Sequence, residues 1–159
     1  KHLAIPWVEV IQIGIGDIEE DLNLYLQPES TNLHSPSFVK SDSPHKDEEV
    51  LKVSVHKFDN IPGIQKISRI DLIKIDIEGF EPNALRGMVK TIKAGKVKYL
   101  MVEFNSGWLY ANNSSCDELM ALIKDLGFKV HSKTSIQEIP SLKNTAAYST
   151  QDFLFEYND

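Results

Sequence analysis

The sequence predicts an α/β fold in one domain that spans residues 1–159. Two runs of apolar and β-branched residues, 72–75 and 98–104, have the composition of strands that are buried on both faces of a parallel sheet. Between these runs, apolar residues recur at the spacing of an amphipathic helix. Strand, helix and strand form one βαβ unit, which we expect to be right-handed. A chain of this length can bury a substantial core.

The first elements are predicted to form a β-hairpin. Residues 7–15 have the pattern of a strand, and Gly14 and Gly16 indicate a tight turn at its end. Residues 21–26 alternate polar and apolar side chains, which is the period of a half-buried strand. The acidic residues around this turn have the alternate spacing of a calcium loop, but Leu22 stands where that loop requires glycine. We therefore predict a solvated acidic turn and no metal site.

A long loop is predicted at residues 27–47, which are rich in proline and serine and show no periodicity. Within a compact domain such a loop is usually functional or disordered. His34 and His45 lie in it without partners at metal-ligand spacing, which favours surface positions. Beyond the loop, residues 50–58 alternate as a strand does, and residues 64–67 predict a single helical turn.

The helix of the βαβ unit is predicted to begin at Pro82 and to end at Gly95. Proline is tolerated in the first helical turn because its missing N–H would lack a partner there. Four residues form the apolar stripe at positions i, i+3, i+4 and i+7: Leu85, Met88, Val89 and Ile92. Gly87 inside the helix costs about 1 kcal/mol relative to alanine, so we expect close packing against the sheet at that point.

A second amphipathic helix is predicted after the capping box of Ser115 and Glu118, and Gly127 ends it. The remaining segments are a strand, an irregular stretch and a closing strand, at residues 128–131, 134–150 and 153–157.

Composition and net charge argue against several classes of protein. The formal net charge of −6 argues against a nucleic-acid partner and against an anionic membrane surface, because both require a basic face. No apolar run approaches the ~18 residues of a membrane span, and no secretory signal pattern is present. The single cysteine, Cys116, cannot form an internal disulfide and fits a reducing compartment. We therefore expect a cytoplasmic protein without a membrane span.

Two carboxylates, Asp76 and Glu78, directly follow the strand at 72–75 and precede Gly79 and the helix. Ligands of open α/β sheets bind at the carboxyl ends of strands, so these residues are the first candidates for chemistry. A simpler interpretation is a charge pair at the helix N-terminus, where a carboxylate gains about 0.3–1 kcal/mol from the helix dipole. That interpretation does not explain Lys74, a charged residue inside the apolar strand.

The run Asp-Leu-Ile-Lys-Ile-Asp-Ile-Glu-Gly-Phe-Glu at 71–81, followed by Leu85-Arg86-Gly87, resembles the signature of FkbM-type methyltransferases. Residues 54–59, the Gly16-Asp17 pair and the strand containing Glu103 are similar to the flanking motifs of that family. The resemblance implies an S-adenosylmethionine-dependent O-methyltransferase on a Rossmann-like, class I mixed sheet with flanking helices. The expected acceptor is a hydroxyl of a carbohydrate, a lipid or a secondary metabolite.

The resemblance also implies roles for individual residues. Asp76 would lie near the transferred methyl group and position or deprotonate the acceptor hydroxyl, and Glu78 would line the same pocket. The residues expected to bind the cofactor are Gly16, Asp17, Asp76 and Gly79. Position in the chain, rather than the resemblance, suggests Glu103, Asn105 and His56 for binding the acceptor. Glu103 and Asn105 end the neighbouring strand at the same rim, and His56 precedes a turn; a capping or surface role is the alternative for the first two and a surface role for His56.

One part of the family pattern is absent. The chain lacks the family's first strand with its glycine-rich loop and the second strand with its ribose-binding acid. Those parts supply the backbone N–H groups that hold S-adenosylmethionine. Two interpretations therefore stay open: a methyltransferase domain, in which a homo-oligomer is conceivable, or a truncated, non-catalytic relative that serves in binding or structure.

Overall fold

The computed structural model describes residues 7–26, 36–38, 49–132 and 150–158. The predicted α/β class is correct, and the described strands form two mixed sheets. The first sheet contains β1 (Gly14–Ile15), β2 (Glu20–Leu26) and β3 (Glu49–His56), in the order β1-β3-β2. Strand β1 is parallel to β3, and β2 is antiparallel to it.

The predicted hairpin of residues 7–15 and 21–26 is wrong. Only Gly14 and Ile15 of the first run form a strand, and β1 and β2 pair with opposite edges of β3 rather than with each other. Trp7 and Val10 are 85% and 86% exposed, so the apolar pattern of residues 7–13 does not reflect burial.

The second sheet contains β4 (Ile70–Ile75), β5 (Val97–Asn105), β6 (Phe128–Val130) and β7 (Thr150–Tyr157). Its order is β4-β5-β7-β6: β4 and β5 are parallel, and β7 is antiparallel to both of its neighbours. Strand β4 lies at the edge. The expectation that it is buried on both faces is wrong for one face, since Leu72 is 51% exposed whereas Ile75 is 4% exposed.

Four described α-helices accompany the sheets: α1 (Glu81–Arg86), α2 (Val89–Lys93), α3 (Ser106–Ala111) and α4 (Cys116–Asp125). Helix α4 begins as predicted, with the Ser115 side chain accepting from the Glu118 amide. Helix α3 was not predicted; the Asn105 side chain caps it by accepting from the Trp108 amide over 3.3 Å. None of the described helices is long and apolar enough to cross a membrane.

The single helix predicted between Pro82 and Gly95 is in fact two short helices. Asp59, in a 3₁₀ turn at Phe58–Asn60, is the physical cause. Its backbone N–H donates to the carbonyl of Gly87, and its carboxylate accepts from the amides of Lys90 and Thr91 at 2.8 Å. These contacts end α1 and cap α2. The prediction that Gly87 packs closely is correct, because a Cβ atom there would overlap the carbonyl oxygen of Gly16.

The main core lies between one face of the second sheet and the helices. The phenylalanines of β5 and β7 form its centre: the rings of Phe104 and Phe153 meet edge to face, with centroids 5.0 Å apart. Leu85 of α1 and Leu119 of α4 pack on this face with no exposed surface. The ends of β4 and β5 are thereby held together at one edge of this core.

The long loop predicted at 27–47 and the irregular stretch predicted at 134–150 lie almost wholly outside the described residues. His34 and His45 also lie outside them. The closing strand is present, and it is longer than the predicted 153–157 because it begins at Thr150.

Candidate active site

The candidate site begins at the last residues of β4. Lys74 Nζ lies 2.7 Å from Asp76 Oδ2, and each side chain is partly exposed. Residues two apart in an extended segment point to the same face, which brings these two side chains together. The pair explains the charge inside the apolar strand: Lys74 neutralises Asp76 on the open face of the sheet.

The turn after Asp76 has an uncommon backbone. Glu78 and Gly79 both have positive φ, +50° and +91°. Glycine is required at the second position, because a Cβ atom on Gly79 would overlap the backbone carbonyl of Trp108. The carbonyl of Glu78 accepts from Ser37 Oγ and that of Gly79 accepts from Asn112 Nδ2, both over 2.8 Å. Two side-chain hydrogen bonds therefore hold the backbone carbonyl groups of this turn.

The end of β5 contributes Glu103 and Asn105. Because β4 and β5 are parallel, their carboxyl ends meet at the same edge of the sheet. Asn105 Nδ2 donates to Glu78 Oε2 over 3.3 Å. Asp76, Glu78 and Glu103 each place a carboxylate oxygen within 4.8 Å of the others. We call these three residues the acidic cluster. The positive charge that the structure places beside it is that of Lys74, and we assign no metal ion to it.

Burial and neighbouring carboxylates change the acidity of Glu103. Burial, followed by the nearby charges of Glu78 and Asp76, raises the pKa of Glu103 from an ordinary 4.5 to about 7. Glu103 Oε2 is buried and has no hydrogen-bond partner among the described residues. A carboxyl group whose pKa lies near neutrality can both accept and release a proton at physiological pH.

Gly16 and Asp17 approach the same turn from the first sheet. Asn83 Nδ2 donates to Asp17 Oδ1 over 3.2 Å, and Asn83 Oδ1 accepts from Asn112 Nδ2 over 2.9 Å. Since Asn112 also binds the carbonyl of Gly79, side-chain hydrogen bonds connect Asp17 to the acidic turn. Gly16 is required by packing: a Cβ atom there would lie 2.7 Å from the Val55 side chain and 3.2 Å from that of Phe80.

The structure places His56 in another environment. Its Nδ1 atom lies 2.6 Å from Glu19 Oε2, and no described contact joins it to the acidic cluster. Glu19 also accepts from the backbone N–H of Lys57 and from Asn60 Nδ2. Together with His56, these donors lower the pKa of Glu19 to about 2. Of the predicted site residues, His56 is thus the one that pairs elsewhere.

Sequence reasoning missed Asn83, Asn112 and Glu81, which support the site through hydrogen bonds. The asparagines carry no sequence signal, because their partners lie 29 to 66 residues away. They also line a polar pocket of about 340 Å³ whose remaining walls are Pro82, Arg86, Asn113, Ser114 and Glu118. That pocket includes no member of the acidic cluster.

The described residues do not form a complete site for S-adenosylmethionine. An anionic group of such a cofactor is normally held by free backbone N–H groups where a strand leads through a turn into a helix. In the turn between β4 and α1, the amides of Ile77 and Gly79 already donate to the carboxyl group of Glu81, over 3.1 and 3.2 Å. The acidic cluster instead suits a group that donates hydrogen bonds.

One comparison with known proteins gave a match. The model of the methyltransferase FkbM domain matches residues 5–130, which include the acidic cluster, the Gly16-Asp17 pair and both asparagines. Searches of curated proteins and of solved structures gave no match. Because the family model covers well over half of the chain, the protein belongs to the FkbM methyltransferase family.

Proposed function

We propose that this domain transfers a methyl group to a hydroxyl, with the acidic cluster as the site of the acceptor. The observation that carries the proposal is the convergence of Asp76, Glu78 and Glu103 at the ends of two adjacent parallel strands. Membership of a methyltransferase family supports the reaction class. We propose a carbohydrate, a lipid or a secondary metabolite as the acceptor, since carboxylates bind the hydroxyl groups that such molecules present.

In this proposal each of the three carboxylates has a separate role. Asp76, paired with Lys74, stays available to accept a hydrogen bond that orients the acceptor hydroxyl. Glu78, held by Asn105, lines the same space. Glu103, whose pKa is about 7, takes the proton as the hydroxyl oxygen becomes a nucleophile. Removing that proton leaves electron density on oxygen, which a hydroxyl needs before it can accept a methyl group.

The family generally uses S-adenosylmethionine, which supplies an electrophilic methyl group on sulfur. Asp17 is the residue that we propose for its adenosine portion, beside Gly16 and the turn at Gly79. Because the described residues do not form the loop that holds the cofactor, we derive no step through it. The mechanism is confined to binding and deprotonating the acceptor.

A methyl-transfer assay tests the proposal. The protein is incubated with S-adenosylmethionine bearing a deuterated methyl group and with panels of carbohydrates, lipids and hydroxylated metabolites, and products are detected by mass spectrometry. We expect a hydroxyl-linked mass gain with the wild type, a loss of about 10²-fold or more with Glu103→Gln and Asp76→Asn, and full activity with Asp125→Asn, on the exposed end of α4.

A non-catalytic binding or structural relative is the second candidate. The observation that favours it is the engagement of the Ile77 and Gly79 amides by Glu81, which leaves them unable to hold a cofactor. Calorimetric titration with S-adenosylhomocysteine separates the two candidates. Absence of both cofactor binding and methyl transfer by the folded protein would overturn the enzymatic proposal in favour of the second candidate.

A further inference from the structure

Glu81 is a buried acid that the proposed reaction does not use. It is the first residue of α1 and has no exposed surface. Its Oε1 atom accepts from the backbone N–H groups of Ile77 and Gly79, and its Oε2 atom has no hydrogen-bond partner among the described residues. Burial raises the pKa of this carboxyl group, whereas the backbone donors oppose that rise.

The two amides that Glu81 binds lie on either side of Glu78. Left-handed backbone at a residue other than glycine costs roughly 1–2 kcal/mol, so Glu78 at φ +50° needs support from its surroundings. Ser37 and Asn112 hold the carbonyls of this turn, and Glu81 holds its amides. Among the described residues, Glu81 is therefore the one whose side chain binds the backbone N–H groups of this turn.

A simple helix-capping role does not account for these contacts. An acidic residue in the first turn of a helix normally supports the amides of that same helix. Glu81 binds amides two and four residues before itself, in the segment that carries Asp76 and Glu78. Its contacts thus act on the acidic cluster and not only on α1.

We propose that Glu81 is a positioning residue: through the amides of Ile77 and Gly79, it holds the turn that brings Asp76 and Glu78 against Glu103. The importance of this role for catalysis rests on the proposed function, but its test needs no methyl transfer. A failure of the positioning role is therefore distinguishable from a failure of the enzymatic proposal.

The test compares Glu81→Gln, Glu81→Asp and Glu81→Ala by NMR. Glutamine keeps an Oε1 acceptor at the same reach, aspartate keeps the charge but is one methylene shorter, and alanine has no acceptor. Two quantities are measured: hydrogen exchange of the Ile77 and Gly79 amides, and the titration midpoint of the Glu103 carboxyl group. The charges that act on Glu103 are those of Glu78, Asp76, Glu81, Asp152 and Lys74.

With Glu81→Gln, we expect wild-type exchange at both amides and a Glu103 midpoint lowered only by the loss of the Glu81 charge, whose effect is smaller than that of Glu78 or Asp76. With Glu81→Asp and Glu81→Ala, we expect exchange to accelerate roughly tenfold and the midpoint to fall below that of Glu81→Gln, because the turn relaxes and the carboxylates separate. Should alanine prevent folding, the aspartate and glutamine variants still decide the question.

Asp59 supplies the matched control, since it is also a buried carboxylate that binds two backbone amides, at Lys90 and Thr91. Asp59→Ala should expose those amides and leave the Ile77 and Gly79 amides and the Glu103 midpoint unchanged. Unchanged exchange and midpoint in Glu81→Asp, or a fall of the Glu103 midpoint in Asp59→Ala equal to that in the Glu81 variants, would overturn the positioning role.

Discussion

The side-chain amide of Asn83 donates a hydrogen bond to Asp17 Oδ1 over 3.2 Å and so joins two sequence motifs that lie 66 residues apart. Asp17 follows the first strand of one sheet, and Asn83 lies on the helix that follows the edge strand of the other. Asn112 extends the connection from Asn83 to the carbonyl of Gly79. A residue expected to bind the cofactor is thereby tied to the turn that carries Asp76 and Glu78.

Replacing Asn83 by alanine should weaken this connection. Asp17 and Asn112 each lose a hydrogen-bond partner in a part-buried place, so we expect the free energy of unfolding to fall by about 1–2 kcal/mol in urea denaturation. The control is Asn23→Ala, on the exposed face of β2, which should change stability by less than about 0.5 kcal/mol. Equal stability of the two variants would show that the connection contributes nothing.

Gly87→Ala tests the contact between the end of α1 and Gly16, the residue that follows β1 of the first sheet. Gly87 has an ordinary helical φ of −72°, so alanine adds only a steric conflict with the carbonyl of Gly16. We expect a loss of about 1–3 kcal/mol in the free energy of unfolding, measured in urea. Gly95→Ala is the complementary variant. Gly95 has a φ of +67°, and a Cβ atom added there would meet no neighbouring atom within 4 Å, so the cost of the substitution, about 1 kcal/mol, is conformational. A neutral Gly87→Ala would contradict the packing.

The raised pKa of Glu103 should make stability depend on pH. Between pH 4.5 and about 7 the folded protein holds a proton on Glu103 that the unfolded chain releases. The stabilisation from this group is complete below pH 4.5 and is lost as the pH rises through about 7. Urea denaturation should therefore show a stability that declines over this range and a shallower decline in Glu103→Gln. Glu20→Gln, at an exposed position in β2, should decline as the wild type does.

Glu19 should show the opposite dependence. Its pKa of about 2 lies below the ordinary value of 4.5, so its stabilising contribution is present above pH 4.5 and is lost as the pH falls towards 2. Because His56 is one of three donors to this carboxylate, His56→Ala should raise the Glu19 midpoint only partly in an NMR titration. A midpoint at 4.5 in the wild type would contradict the arrangement.

Local sequence patterns predicted the elements whose causes are local. The strand, acidic turn and helix start at residues 70–82 follow from apolar composition, glycine and proline within that segment. The capping box predicted the start of α4 because Ser115 and Glu118 are three residues apart. The rule that ligands bind at strand ends brought Asp76, Glu78, Glu103 and Asn105 into one set, and the structure places them together. Their catalytic and binding roles stay predictions.

Contacts between residues that are distant in the sequence determined the features that local patterns did not predict. The predicted long helix is divided by Asp59, which lies 31 residues before the amide of Lys90 that it binds. The predicted hairpin does not form, because β1 and β2 each pair with β3, on its opposite edges, and not with each other. His56 was assigned to the acceptor site from its place before a turn, whereas its partner Glu19 belongs to a different segment. None of these contacts leaves a periodic signal in the sequence.

The measurement that tests the acidic cluster most directly is an NMR titration of the Glu103 carboxyl carbon. The burial of Glu103 and its convergence with Glu78 and Asp76 predict a midpoint of about 7 in the wild type. It also predicts a lower midpoint in Glu78→Gln, since Glu78 is the nearby charge with the largest effect, and no change in Asp125→Asn. A wild-type midpoint near 4.5 that does not respond to Glu78→Gln would contradict the cluster and, with it, the proposed acceptor site.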